Sequence, residues 1–535
     1  INMRVLYFLF TLMIIPTSGV ANLCATESAE SQILEIVLAT LHDLLSEIKN
    51  PEIIGKLEPT ITTLLLKKWE QCASDETIVF AIVDVIRIMS ESQFARVGMQ
   101  ERLLPAMFHL LQPRDKQVGG NVGASLEVFQ HIIGNSTPPL ANPIVSEVFP
   151  IVCELVGTND DSAILINATN CLTCFARLCV NNELNQNFHF RGGANNATTV
   201  TNGIEAILSV TFRLLDISNA SMPDQAIVSV GHLVYHIISN MKDVIGETSI
   251  LKLLQFVVLR MATARFSSCT NNLISCILKL INTFGPTIVN ALKVDCGIIK
   301  LRIHDDVQEK RHTLLSAFLT IWNNQVEYLD GMYMIKLSSI TMSKLISLRD
   351  PDIENVIVDG DQIVNVNAGR QTRSSKKKPI QYQQVPWPLR AFQSLARLVD
   401  DPRDYGGGGD LNDMLMMEEF AKEGALFGDD DNEDDMYAKY DLSDMIGDNG
   451  KSVFDFDRAY GLSRAEDLEF EMHDECRNDI SAINDEYFNA NLQVEVRNFF
   501  LNLSNTNHQM YDHCLQTLDA EAKENLSAVV KAYQI

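Results

Sequence analysis

At 535 residues the chain is longer than one compact core can organise, since cores stop growing near ~250–300 residues, so several domains or one repeating array are expected. With 46% hydrophobic, 21% charged and only 7% aromatic residues, and with Leu and Ile leading the apolar set, the composition suits helix-on-helix packing better than a β-sandwich. The formal net charge of −26 argues against nucleic acid or an anionic membrane surface as a partner and favours attraction of basic proteins.

In chain order, Met3-Arg4, the apolar run Val5–Ile15 and the small-residue stretch that ends at Ala21 have the three regions of a signal peptide. Sequons at Asn135, Asn167, Asn196, Asn219, Asn502 and Asn525 would suit a secreted glycoprotein, yet Asn167 falls inside an apolar helical pattern that leaves no room for a glycan. Eleven cysteines, mostly inside such patterns, read instead as free buried thiols of a reducing compartment. Residues 1–29 are therefore set apart from the fold. Beyond them, no stretch reaches the ~18–20 apolar residues of a membrane helix.

From Ser31 to Leu348 apolar residues recur at helical spacing. Ile33, Leu34, Val37, Leu38, Leu41, Leu45 and Ile48 form a first face. A new helix starts at Ser74-Asp75-Glu76, where the hydroxyl is expected to cap it, and Ile78, Val79, Ile82, Val85, Ile86 and Met89 line its buried side. First helices of successive pairs begin near residues 31, 76, 117, 162, 223 and 268, separated by 45, 41, 45, 61 and 45 residues. Helix pairs with a period in the forties predict a HEAT-repeat or armadillo array, in which each pair buries its apolar face only against its neighbours. The long interval holds Asn181–Thr201, read as an inserted loop. Pro51, Pro105, Pro138-Pro139, Pro223 and Pro286 are placed between helices, where a helix must stop.

The predicted fold is an all-α HEAT-repeat solenoid over residues 30–365. A basic linker loop follows at 366–385, with Arg370, Arg373 and Lys376–Lys378, then a repeat helix at 386–400, a long acidic insert at 401–486 expected to be largely disordered, and capping helices at 487–535. The negative charge is concentrated: Asp401–Ala490 contains 27 acidic and 7 basic residues.

Little of the sequence suggests catalysis. Cys171-x-x-Cys174 lacks a second CxxC and reads as packing. His232 and His236, one turn apart, lack the glutamate of the HExxH zinc proteases and also read as core. No GxGxxG after a strand, P-loop or nucleophile elbow occurs, so neither an enzyme nor a cofactor nor a metal site is expected. The strongest candidates for function are Asp429, Asp430, Asp431, Glu433, Asp434 and Asp435, an acidic strip that would engage Lys/Arg-rich cargo and compete with nucleic acid for it. The basic cluster reads first as a solvated loop and second as a nuclear localisation signal.

An ordered series of residues adds a resemblance. Trp322, Leu329-Asp330-Gly331-Met332-Tyr333, Lys336-Leu337-Ser338-Ser339, Lys344-Leu345, Asp350, Gly360, Gly369-Arg370, Thr372-Arg373-Ser374 and Pro379 are similar to the C-terminal part of karyopherin-β (importin-β) family receptors. So are Asp115-Lys116 before Asn135–Leu140, Phe149-Pro150 before Asp160-Asp161, and Leu442-Ser443-Asp444, Asp485 and Leu492-Gln493. The likeness runs over roughly residues 75–535. It implies a nuclear import receptor that moves between cytoplasm and nucleus, meets nuclear pore proteins, carries basic cargo such as core histone dimers and answers to the GTP form of Ran. In the family an acidic loop near the C-terminus belongs to the cargo- and Ran-responsive apparatus, and Asp401–Glu486 is the matching stretch. The insert is more diluted by apolar and basic residues than the family's acidic run. Family receptors also carry further N-terminal repeats, so complete import activity is not expected of this chain alone. The competing reading is a HEAT scaffold without a transport role.

Overall fold

A computed structural model describes residues 27–111, 119–179, 183–192, 197–219, 222–303, 306–326, 329, 332–363, 382–398, 487, 490–518, 520, 522–524 and 526–527. The fold is a helical solenoid, and its chain divides into two units, residues 1–277 and 278–535.

In the first unit the helices are α1 (Glu27–Ser46), α2 (Pro51–Gln71), α3 (Glu76–Glu91), α4 (Arg96–Leu111), α5 (Gly119–Gly134), α6 (Phe149–Thr158), α7 (Ser162–Leu178), α8 (Gly203–Leu215) and α9 (Val230–Thr263). Odd-numbered helices stack on one another, α1 on α3, α3 on α5, α5 on α7 and α7 on α9; α2 packs on α4, and α6 on α8. Leu38, Leu41, Ile82, Val85, Phe129, Leu172 and Phe175 lie at the contacts with no solvent exposure. The predicted starts near 31, 76, 117, 162 and 223 thus mark one column of the array. Within α9, Gly246 takes a φ of 73°, a left-handed conformation that interrupts the helix and leaves the two helical stretches expected from the apolar pattern.

Polar side chains stitch the odd-numbered column together at the repeat period. Four residues of α7 reach main-chain carbonyls of α5: Asn167 Nδ2 donates to Gly123 O at 3.1 Å, Cys171 Sγ to Leu126 O at 3.0 Å, Cys174 Sγ to Gln130 O at 3.8 Å and an Arg177 amine to Gly134 O at 2.8 Å. One repeat earlier, Asn121 Nδ2 donates to Ala73 O at 2.8 Å, and Asn121 Oδ1 accepts from Trp69 Nε1 at 3.1 Å. Asn240 Nδ2 donates to Ala176 O at 3.0 Å one repeat later. Each bond satisfies a polar group that burial would otherwise leave unpaired, and each works only in one register.

Three local expectations are corrected. Pro105 lies inside α4, not between helices. Its ring is exposed, so water can replace the hydrogen bond that the Glu101 carbonyl loses. The cap of α3 is Asp75, which accepts from Ile78 N, rather than the Ser74 hydroxyl. The stretch read as an inserted loop at Asn181–Thr201 contains an antiparallel hairpin of β1 (Asn187–Gly192) and β2 (Ala197–Asn202). Its Phe188 is buried and stands 5.1 Å from the ring of Phe149 in α6.

The second unit adds two more hairpins, β3 (Asp295–Ile303) with β4 (Asp306–Thr313) and β5 (Ile357–Gln362) with β6 (Tyr382–Pro386). Around them lie α10 (Ser267–Phe284, which begins in the first unit), α11 (Pro286–Leu292), α12 (Leu314–Gln325), α13 (Met332–Leu348), the single turn α14 (Pro351–Glu354), α15 (Trp387–Arg397), α16 (Leu492–Thr506) and α17 (His508–Gln516). An aromatic core joins them: the rings of Trp322 and Trp387 are 5.5 Å apart, those of Phe392 and Phe500 5.0 Å, and Trp322 Nε1 donates to Ser338 Oγ at 3.0 Å. The segment expected as a basic linker loop ends as strand β6, paired with β5, because Val385 and Tyr382 sit in register with Val358 and Gln362.

Lys293 Nζ donates to Asp350 Oδ2 at 2.6 Å and lies 3.1 Å from Asp352. Asp350 also caps α14 by accepting from Asp352 N. The hydrogen bond from Lys293 holds the Asp350 carboxyl below its usual range, and the same partners hold the Lys293 ammonium above its own.

Two expectations follow from these contacts. Asn121→Leu strands the Trp69 indole and the Ala73 carbonyl, and should lower unfolding stability by about 1–3 kcal/mol in a denaturant titration. The contribution of Asp350 is present above the unfolded carboxylate pKa and is lost as pH falls through its depressed folded value; that of Lys293 is lost as pH rises through its raised value. Lys293→Met should therefore flatten the acid limb of a plot of Tm against pH.

Candidate functional site

The acidic strip Asp429, Asp430, Asp431, Glu433, Asp434 and Asp435 lies outside the described residues, as does the basic cluster Arg370, Arg373, Lys376, Lys377 and Lys378. Their attachment points are described, all within the second unit. The basic stretch spans the gap between the paired strands β5 and β6. The acidic stretch leaves just beyond Leu398, after α15. On its return, Tyr487 is pinned: its hydroxyl donates to Asn282 O at 3.3 Å and accepts from Lys344 Nζ at 2.9 Å, with the ammonium 4.7 Å from the ring centre. Helix α16 then packs on α13.

The cysteine pair lies in the α5–α7 seam. Cys171 and Cys174 are one helical turn apart, and both point at carbonyls of α5. Burial pushes the Cys171 thiol well above its ordinary pKa, as it does that of Cys153. His232 and His236 stand on α9, with His236 edge-on to Tyr235 at 5.1 Å. Among the described residues no group of three metal-ligating side chains comes together.

In the first unit a groove of about 620 Å³ lies between α4 and α6. Its apolar floor is formed by Leu104 and Phe108 from α4 and by Pro150 and Ile151 from α6. The Phe108 ring is held by Phe129 of α5 at 5.8 Å, and Leu104 is 7% exposed, so the floor is built from the outer edge of the core. Carboxylates stand on both walls: Glu101 on α4, Glu147 in the π-helical turn Ile144–Val148, and Glu154 on α6. His189 of β1 lies at the margin. Prolines shape the walls. Pro105 has no N–H for the Glu101 carbonyl and Pro150 none for that of Ser146, and the turn ahead of α6 widens to the π form. Below the groove, Arg102 Nη1 donates to both Glu58 oxygens, at 3.1 and 2.9 Å, and to Gly98 O at 2.8 Å, which fixes α4 against α2. The surface offers apolar contact at its centre and acceptors around it, with no nucleophile paired to a base. Sequence reading placed helices on both walls but gave no sign that they part; the prolines at 105, 143 and 150 beside Phe108 were the available signal.

No protein-family model matches the chain. Importin-9 from Drosophila melanogaster is 22% identical to it over 346 residues, which are 64% of this chain and 31% of importin-9. The chain thus spans under a third of the relative that it matches. Among the described residues no helix is long and apolar enough to cross a membrane.

The seam makes a chemical expectation. With native protein near neutral pH, a maleimide should modify the half-buried Cys72 and Cys296 before Cys153, Cys171 and Cys174, all of which should label fully once denaturant opens the stack. Peptide mapping by mass spectrometry reads the order; early labelling at Cys171 would contradict the buried seam.

Proposed function

We propose that this relative of importin-9, a protein of the importin-β family, works in nuclear import as a receptor for basic proteins. The observation that carries the reading is the likeness over 64% of the chain, in a molecule whose helices stack as pairs. Such a stack presents an extended surface, which suits a carrier. The cargo class follows from charge. Asp401–Ala490, with 27 acidic and 7 basic residues, creates a local negative field that captures Lys/Arg-rich proteins at long range and shields them from nucleic acid. Core histone dimers are the cargo of this description, with Asp429, Asp430, Asp431, Glu433, Asp434 and Asp435 as the densest part of the strip. The GTP form of Ran as the release signal, nuclear pore proteins as docking partners, and residence in both cytoplasm and nucleus belong to the same reading. No catalytic step, cofactor or metal enters it.

Attachment of both ends of the acidic stretch to the second unit supports the proposal. The described residues on either side of the acidic stretch, in α15 and at Tyr487, both belong to the second unit, so cargo drawn by the charge would meet the same helical surface.

Binding of a core histone dimer to the full chain should weaken steeply with salt, as screening shortens the reach of the field. Replacing the six named acids by Asn or Ser should reduce affinity by about tenfold or more at low salt, and should flatten the salt dependence. Unchanged affinity in a fluorescence titration would sink the electrostatic part. A pull-down from nuclear extract that enriches neither Ran nor basic proteins would instead favour a scaffold.

A further inference from the structure

We propose that the α4–α6 groove of the first unit is a second foothold for cargo: it binds an extended basic peptide segment of a partner protein, with one apolar side chain on the floor and Lys or Arg on the walls. The inference rests on the receptor reading above and assigns part of the binding to a surface separate from the acidic insert.

The groove's chemistry selects this occupant. The floor of Leu104, Phe108, Pro150 and Ile151 is complementary to one aliphatic or aromatic side chain, and a volume of about 620 Å³ accommodates it together with a short run of backbone. Everything polar around the floor that carries a full charge at neutral pH is negative. Glu101 and Glu147 are exposed, and neither has an ion-pair partner among the described residues. Glu154 faces the same space from α6. An anionic or acidic peptide would be repelled here, and a neutral one would leave Glu101 and Glu147 uncompensated. The main chain adds to the bias. Because Pro105 and Pro150 lack an N–H, the carbonyls of Glu101 and Ser146 have no donor at the usual α-helical position, and both residues line the groove. These carbonyls and the carboxylates beside them favour a ligand rich in donors, which an extended peptide supplies through its backbone N–H groups and its ammonium or guanidinium heads.

The walls are also preorganised, which limits the entropy lost on binding. Arg102, gripping Glu58 and Gly98 O, fixes α4 from beneath, and the contact of Phe188 with Phe149 buttresses the first turn of α6.

The test uses the full chain and a fluorescein-labelled peptide with a single Phe flanked by lysines, read by anisotropy. Glu101→Gln, Glu147→Gln and Glu154→Gln together should weaken peptide binding by about tenfold, since rim carboxylates contribute a fraction of a kcal/mol each. Ile151→Lys, which fills the floor and adds a cation, should abolish it. These side chains are exposed or half-buried, and an unchanged circular dichroism melt verifies folding. A control peptide with Gln in place of every Lys should bind at least tenfold more weakly. Equal binding of the two peptides, or equal binding of the lysine peptide to the wild type and the triple variant, overturns the proposal. The two readings then part on a whole histone dimer. If the triple Gln variant keeps full affinity for it while neutralising Asp429–Asp435 removes binding, the groove is no cargo foothold and the receptor reading survives. If both changes weaken the dimer and combine nearly additively, two separate footholds are in place.

Discussion

The seam between α5 and α7 is the contact on which the first unit depends. Apolar packing alone draws the helices together, but it tolerates sliding and rotation, because a leucine stripe fits several registers nearly as well. The donors of Asn167, Cys171, Cys174 and Arg177 remove that freedom by reaching the carbonyls of Gly123, Leu126, Gln130 and Gly134. The sequence offsets of these bonds, 44, 45, 44 and 43 residues, are the repeat period itself. Asn121 on Ala73 and Asn240 on Ala176 continue the pattern before and after. Side chains that resemble a redox pair or a glycosylation site when read alone are rungs of one ladder.

With the register fixed, irregularities of the stack become usable. Prolines at 105 and 150 are tolerated because the column of odd-numbered helices carries the stacking, and the even-numbered column can open between α4 and α6. A groove with an apolar floor and acidic walls results, supported from below by the Arg102–Glu58 pair. The insertion that lengthens one repeat is used in the same way. Its hairpin presses Phe188 on the helix that forms one wall and places His189 at the margin.

In the second unit the stacking yields to hairpins and an aromatic core. Trp322, Trp387, Phe392 and Phe500 draw together α12, α15 and α16, which are separated in sequence by the basic and acidic stretches. Two highly charged segments of opposite sign are thereby attached to one packed body.

Much of the architecture was legible in the sequence. Helical periodicity, the repeat starts near 31, 76, 117, 162 and 223, and the buried faces led by Leu38 and Ile82 are local or repeating properties, and a repeat can bury its face only by stacking. The charge segregation and the kinship with importin-β family proteins were also visible in the residues. The hairpins were not, because β1 and β3 are short alternations whose strand character depends on the partner strand and the helix beneath. Nor could the sequence reveal the groove. A proline inside a helical pattern reads as a stop, yet the helix continues through Pro105, whose ring faces solvent while α2 and α5 pack on the buried side of α4. The parting of α4 from α6, and the gathering of Glu101, Glu147 and Glu154 around one apolar floor, arise between repeats, where spacing along the chain carries no information about distance in space.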